Sequence, residues 1–123
     1  MTKQTEEFNL EALEAKVEEK RLELKEKLKR NVYSYIVKVD ENDYAVGYVK
    51  EPERLVKMRV LDMLAMQNGV SAAGDMLLST SLLVEESDRR ILSTDSQFDT
   101  LYLTMITNCI ELIQVYADVI KKK

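Results

Sequence analysis

"YVKEPERLVKMRVLDMLAMQNGVS", residues 48–71, contains the chain's one proline and passes from an aromatic, β-branched run into an apolar helix that ends at Asn-Gly. Pro52 suits the first turn of a helix, where its missing N–H costs nothing. Glu53 favours the same end through the helix dipole. Asn68 and Gly69 supply a left-handed stop. The spacing predicts a helix from about Pro52 to Gln67, and the rest of the chain is read outward from it.

On the N-terminal side, Tyr33, Tyr35, Val37 and Val39 alternate with Ser34, Ile36 and Lys38, and Tyr44, Val46 and Tyr48 alternate with Ala45, Gly47 and Val49. A period of two in aromatic and β-branched residues means strands. Asp40, Glu41, Asn42 and Asp43 between them make a polar turn, so residues 32–49 predict a β-hairpin. Two strands alone are marginal in water and must pack on helices or pair with another sheet edge.

On the C-terminal side, Ser71 is the expected cap of a helix over about Ala72–Val84, apolar on most sides, with Gly74 marking close helix packing. Glu85 to Arg90 read as a polar loop, and Ser93 to Ser96 offer N-caps for a last helix over about Gln97–Ile120. Phe98, Tyr102, Met105, Cys109, Leu112, Tyr116 and Val119 form one stripe of that helix. Leu103, Ile106, Ile110, Ile113, Ala117 and Ile120 form a second, and together they make a wide core face. Lys121, Lys122 and Lys123 complement the dipole at its end.

Residues 6–30 are almost wholly Glu, Lys, Arg, Leu and Ala, strong helix formers without Gly or Pro. Glu23 with Lys27 and Glu26 with Arg30 are spaced as i, i+4 pairs. Leu10, Leu13, Val17, Leu24 and Leu28 form a thin apolar seam, but Lys20 and Lys27 occupy positions where a good zipper would be apolar. This helix either projects from the core or docks on it. The expected fold is therefore α+β and predominantly helical: a charged helix over 1–30, then a compact unit over 31–123 with one β-hairpin and three helices packed as a small bundle.

The 123 residues suffice for one modest core. A net charge of −4 gives no global attraction to nucleic acid or an anionic membrane. Lys50, Arg54, Lys57 and Arg59 border the central helix, but Glu51, Glu53 and Asp62 dilute them, so nucleic-acid binding is not expected. One cysteine excludes an internal disulfide. No run of about 18 apolar residues suggests a membrane span, the first residues lack a signal-peptide core, and a cytoplasmic location is expected.

The absence of histidine removes the commonest metal ligand and general base together. Cys109 lies at an apolar helix position and reads as a buried thiol. None of the three glycines is arranged as a phosphate loop, and Glu85, Glu86 and Asp88 lack the alternation of a calcium loop. No catalytic residue, cofactor or metal is expected, and the chain is not read as an enzyme.

The methionines allow two readings. Met58, Met63, Met66 and Met76 are flexible core fillers, or they present a surface that accepts several apolar partners. Met58, Leu61, Leu64 and Ala65 lie close to one side of the central helix, and Leu55, Val56, Val60, Met63 and Met66 broaden it. That is more apolar surface than a helix pair and a small hairpin obviously cover.

The order of elements, with "YVKEPERLVKMRVLDMLA" after an aromatic hairpin and "LLVEESDRRIL" before the last helix, resembles the small tail assembly chaperones of tailed bacteriophages. The resemblance covers about residues 33–115. It rests on Lys50, Pro52 and Arg54 at the helix start and on Glu86, Ser87, Asp88, Arg90 and Ile91 at the acidic turn. Leu82, Leu83 and Val84 stand where such proteins often carry an aromatic stretch. The resemblance implies a non-enzymatic assembly role: holding an apolar helical segment of a tape measure-like client until tail subunits polymerise around it. The residues expected to touch the client are Leu55, Met58, Met63, Met66, Leu82 and Leu83, in a helix-in-groove mode. A homo-oligomer is expected. The alternatives are a structural virion or scaffold subunit that oligomerises through its helices, and a regulator that binds a host protein.

Overall fold

The computed structural model describes the backbone of residues 9–121 and the side chains of residues 9–113. The expected helix start at residue 6, the side chains of Tyr116, Ala117, Val119 and Ile120, and Lys122 and Lys123 lie outside the described residues. The order of elements is α1 (Leu10–Leu28), β1 (Val32–Asp40), β2 (Asp43–Lys50), α2 (Arg54–Ala65), α3 (Val70–Ser81), 3₁₀ turns at Arg89–Leu92 and Ser96–Phe98, and α4 (Asp99–Lys121). The fold is α+β and mostly helical, with a two-stranded antiparallel hairpin.

The hairpin is the middle layer. Its period of two sends Tyr35, Val37, Ala45 and Val49 to one face, where they join the main core with Val60, Leu77, Leu78, Met105, Cys109 and Ile113. The opposite face carries Val32, Ile36, Val46 and Tyr48, and α1 covers it with Leu13, Val17 and Leu24. The charged helix is therefore docked and does not project. Only the inner half of its seam is used: Val17 and Leu24 are buried, whereas Leu10 and Leu28 remain exposed. Arg21 fastens it by donating to the Val32 carbonyl at 3.1 Å. Asn9 caps its start, accepting from the Ala12 N–H at 3.1 Å. Its local ion pairs are Glu18–Arg21 and Glu26–Lys29, three residues apart, in place of the expected Glu23–Lys27 and Glu26–Arg30. Arg30 leaves the helix surface and donates to the carbonyls of Glu51 and Pro52 at 2.6 and 3.2 Å, tying the start of β1 to the end of β2.

Several boundaries differ from the sequence reading. Helix α2 begins at Arg54 with Glu53 as its N-cap, so Pro52 lies just before it. Asn68 supplies the left-handed residue at φ 63. Gly69 has φ −90 and caps α3, which starts at Val70, ahead of Ser71. Glycine is needed there because a Cβ at Gly69 would lie 1.9 Å from the Met63 carbonyl oxygen. Helix α3 ends at Ser81, not Val84. Leu82 and Leu83 are extended, and the Leu83 N–H donates to the Tyr48 carbonyl at 2.8 Å. A run of hydroxyls, with Thr80 bonding back to the Met76 carbonyl at 2.7 Å, weakens the last turn, and the strand edge takes over the chain. In α4, Leu103, expected on the core face, is 58 % exposed, and Leu101, which neither stripe contains, is buried.

Close packing of α3 on α4 depends on Gly74. A Cβ at that position would sit 2.0 Å from Ile106 Cγ2 and 3.1 Å from the Ile106 carbonyl.

Candidate protein-binding surface

Helix α2 has a buried side and an open side. Val60 is fully buried, and Val56, Leu61, Met63 and Leu64 pack around the same core. At 100° per residue, Leu55, Met58 and Asp62 fall on the opposite side, and Met66, the C-cap, follows them. Leu55, Met58 and Met66 are 60, 56 and 66 % exposed. Val70, which sequence reasoning did not single out, is 50 % exposed and follows Met66 across the turn closed by the Gly69 N–H on the Met66 carbonyl. Its position one turn after Met66 was the only signal that could have found it. Arg54, Arg59 and Asp62 are exposed beside these apolar side chains, whereas Lys57 is turned inward to the Glu51 carboxylate. The anticipated basic border is thus reduced at Lys57, and the open face is apolar around Asp62, with Arg54 and Arg59 at its margins.

The six residues expected to meet a client are not brought to one place. Leu55, Met58 and Met66 share the open side of α2. Met63 turns inward and is half-buried against the core. Leu82 is buried in that core. Leu83 packs beneath α1 with Val32 and Tyr48, and it lines a shallow groove of ≈ 250 Å³ with Leu24, Leu28 and Val84. Met58, expected on one side with Leu61 and Leu64, is exposed, whereas those two are half-buried against the core. Methionine's two readings divide by position: Met63 and Met105 fill core, and Met58 and Met66 face outward.

The acidic turn has a different task. Residues 82–90 run along the outer edge of β2 and cover most of it. The Leu83 and Asp88 N–H groups donate to the carbonyls of Tyr48 and Val46 at 2.8 and 2.9 Å. The Tyr48 N–H donates to Ser87 Oγ at 3.0 Å. Asp88 accepts from the Arg90 N–H at 2.9 Å and so caps the 3₁₀ turn that buries Ile91. The Arg90 guanidinium bridges Asp88 and Asp43 at 2.9 and 2.7 Å. These hydrogen bonds hold both carboxyls below the ordinary aspartate range and raise the guanidinium. Glu86 pairs with Lys20 of α1 at 3.0 Å, and the Lys20 ammonium lies 5.2 Å from the centre of the Tyr48 ring. Ser87, Asp88 and Arg90 close a strand edge and a turn.

At the far end of the hairpin, burial would raise the Glu51 carboxyl. Hydrogen bonds from Lys57, Asn31 and Tyr33, with the Lys57 charge, outweigh it and bring the pKa to about 2. Burial pushes the Cys109 thiol up to about 12. Among the described residues no cluster of His, Cys, Asp and Glu could hold a metal ion, and no helix is long and apolar enough to cross a membrane.

No protein-family model matches the chain, and no curated protein or solved structure is significantly similar to it.

Proposed function

We propose that the protein is a non-enzymatic assembly factor that holds an apolar helical segment of a client protein against the open side of α2. The observation that carries this reading is the exposure of Leu55, Met58 and Met66 on one side of a helix whose other side is core. Unbranched methionine adapts to apolar partners of different shape, and an amphipathic helix laid on such a face uses anchors spaced by three and four residues. Exposed Arg54 and Arg59 favour a client helix with acidic residues beside its apolar anchors. In the tail assembly chaperones that the sequence resembles, the client is a tape measure protein, and that is the client class proposed here. Bundling through the charged N-terminal helix is disfavoured, because Val17 and Leu24 are already buried against the hairpin.

The test is a titration of the full chain with an apolar, acid-flanked amphipathic helical peptide, followed by calorimetry. Saturable binding is expected, and it weakens at least tenfold in Leu55→Glu and Met58→Glu, two exposed substitutions that leave the fold intact. Equal binding by the wild type and both variants, or none by any of them, contradicts the reading.

A further inference from the structure

The two edges of the hairpin are finished differently. On β2, the N–H and C=O of Tyr48 and the C=O of Val46 point away from β1, and residues 83–88 bond all three. The pairing partners of Tyr48, Val46 and Tyr44 are Ser34, Ile36 and Lys38. In an antiparallel ladder a pair that turns outward on one strand turns outward on the other. Ser34, Ile36 and Lys38 therefore present their backbone groups along the outer edge of β1. The Val32 carbonyl at the start of that edge is taken by Arg21. Among the described residues no hydrogen bond reaches the outward N–H or C=O groups of the other three.

We propose that this edge pairs antiparallel with the same edge of a second copy of the chain, about a two-fold axis at Ile36. An isologous contact places the same groups on both sides and closes on itself. In this register Ile36 exchanges both backbone bonds with its counterpart, and Ser34 exchanges both with Lys38 at each end, giving a six-bond ladder. The core-side row then sets Tyr35 opposite Val37 and Tyr33 opposite Val39, aromatic against β-branched.

Charge selects the second copy as the occupant. A lysine on an edge strand ordinarily discourages pairing, but here Lys38 faces Ser34 and not another lysine. The antiparallel arrangement also brings the Lys38–Asp40 end of each strand to the Val32 end of the other. Glu18 and Arg21 of α1 sit at that end, so each charge meets one of opposite sign. The pairing joins two hairpins into a four-stranded sheet, which removes the marginality of two strands standing alone. The residues of this contact are not those of the open side of α2.

The test follows the mass of the full chain against concentration by sedimentation, in the wild type and in Ser34→Lys, Ser34→Glu and the exchange Ser34→Lys with Lys38→Glu. Ser34→Lys opposes two lysine pairs and is expected to weaken the dimer about 3- to 10-fold. Ser34→Glu strengthens it, and the exchange restores it. Amide hydrogen exchange on the wild type gives a readout free of any folding defect. The Ser34, Ile36 and Lys38 amides slow together as concentration rises. A chain that stays monomeric, a dimer indifferent to both Ser34 substitutions, or edge amides that exchange alike at every concentration overturns the proposal.

Discussion

Arg90, in the 3₁₀ turn before α4, reaches Asp43 at the hairpin turn, 47 residues earlier, and its guanidinium holds both carboxylate oxygens of Asp43, at 2.7 and 3.1 Å. The same guanidinium holds Asp88, itself the cap of the turn that buries Ile91. One side chain thus fixes the hairpin turn, the covered β2 edge and the entry to α4.

Asp88→Asn keeps an oxygen to accept from the Arg90 N–H but removes the charge that the guanidinium binds. A loss of about 1 kcal/mol of stability is expected. Arg90→Ala, which releases both aspartates, costs more than Asp88→Asn. Chemical denaturation of the three proteins measures the order, and equal midpoints for all three would show that the bridge contributes nothing.

Glu51 sets a pH dependence. Its folded pKa of about 2 is below the unfolded value of 4.5. Its contribution is therefore complete above about pH 4.5 and is lost as the pH falls toward 2. Glu51→Gln is expected to cost about 1–3 kcal/mol at pH 7 and to flatten the fall in stability between pH 4.5 and 2. Urea melts of the wild type and the variant at pH 7 and pH 3 test both statements.

Gly74→Ala gains about 1 kcal/mol of helix propensity but drives a methyl into Ile106 and the backbone of α4. Backbone does not yield as a flexible side chain does, so a net destabilisation of about 1–3 kcal/mol is expected. A raised melting temperature in Gly74→Ala would show that α3 and α4 can separate at no cost.

Cys109 is fully buried, and burial holds its thiol at about 12. A thiol reagent at pH 8 is expected to leave the native chain unmodified and to label it stoichiometrically in denaturant. Rapid labelling of the native protein would place Cys109 in an opening segment.

The elements legible in the sequence were those with a clear period. The hairpin followed from alternation that the structure uses on both faces, with the odd positions Tyr35 and Val37 to the core and the even positions Val32 and Ile36 to α1. Gly74 was legible as a close-packing site because nothing else explains a glycine inside an apolar helix. Leu82 and Leu83 were misread as helix because an extended segment held by one backbone bond to Tyr48 leaves no periodic trace. The second apolar stripe of α4 starts at Leu103 and omits Leu101, and the structure buries Leu101 instead, since spacing alone does not fix where a stripe meets the core. The same limit governs the candidate surface. Periodicity groups residues by face but does not report what covers a face, so Met63, Leu82 and Leu83 were placed with Leu55, Met58 and Met66, and only the structure separates them.

The most direct test of the account is a methyl NMR titration of the full chain, labelled at methionine, with an apolar, acid-flanked helical peptide. The account predicts saturable shifts at Met58 and Met66 while the buried Met105 stays fixed. Shifts that spare Met58 and Met66, or a spectrum unchanged at excess peptide, would contradict it.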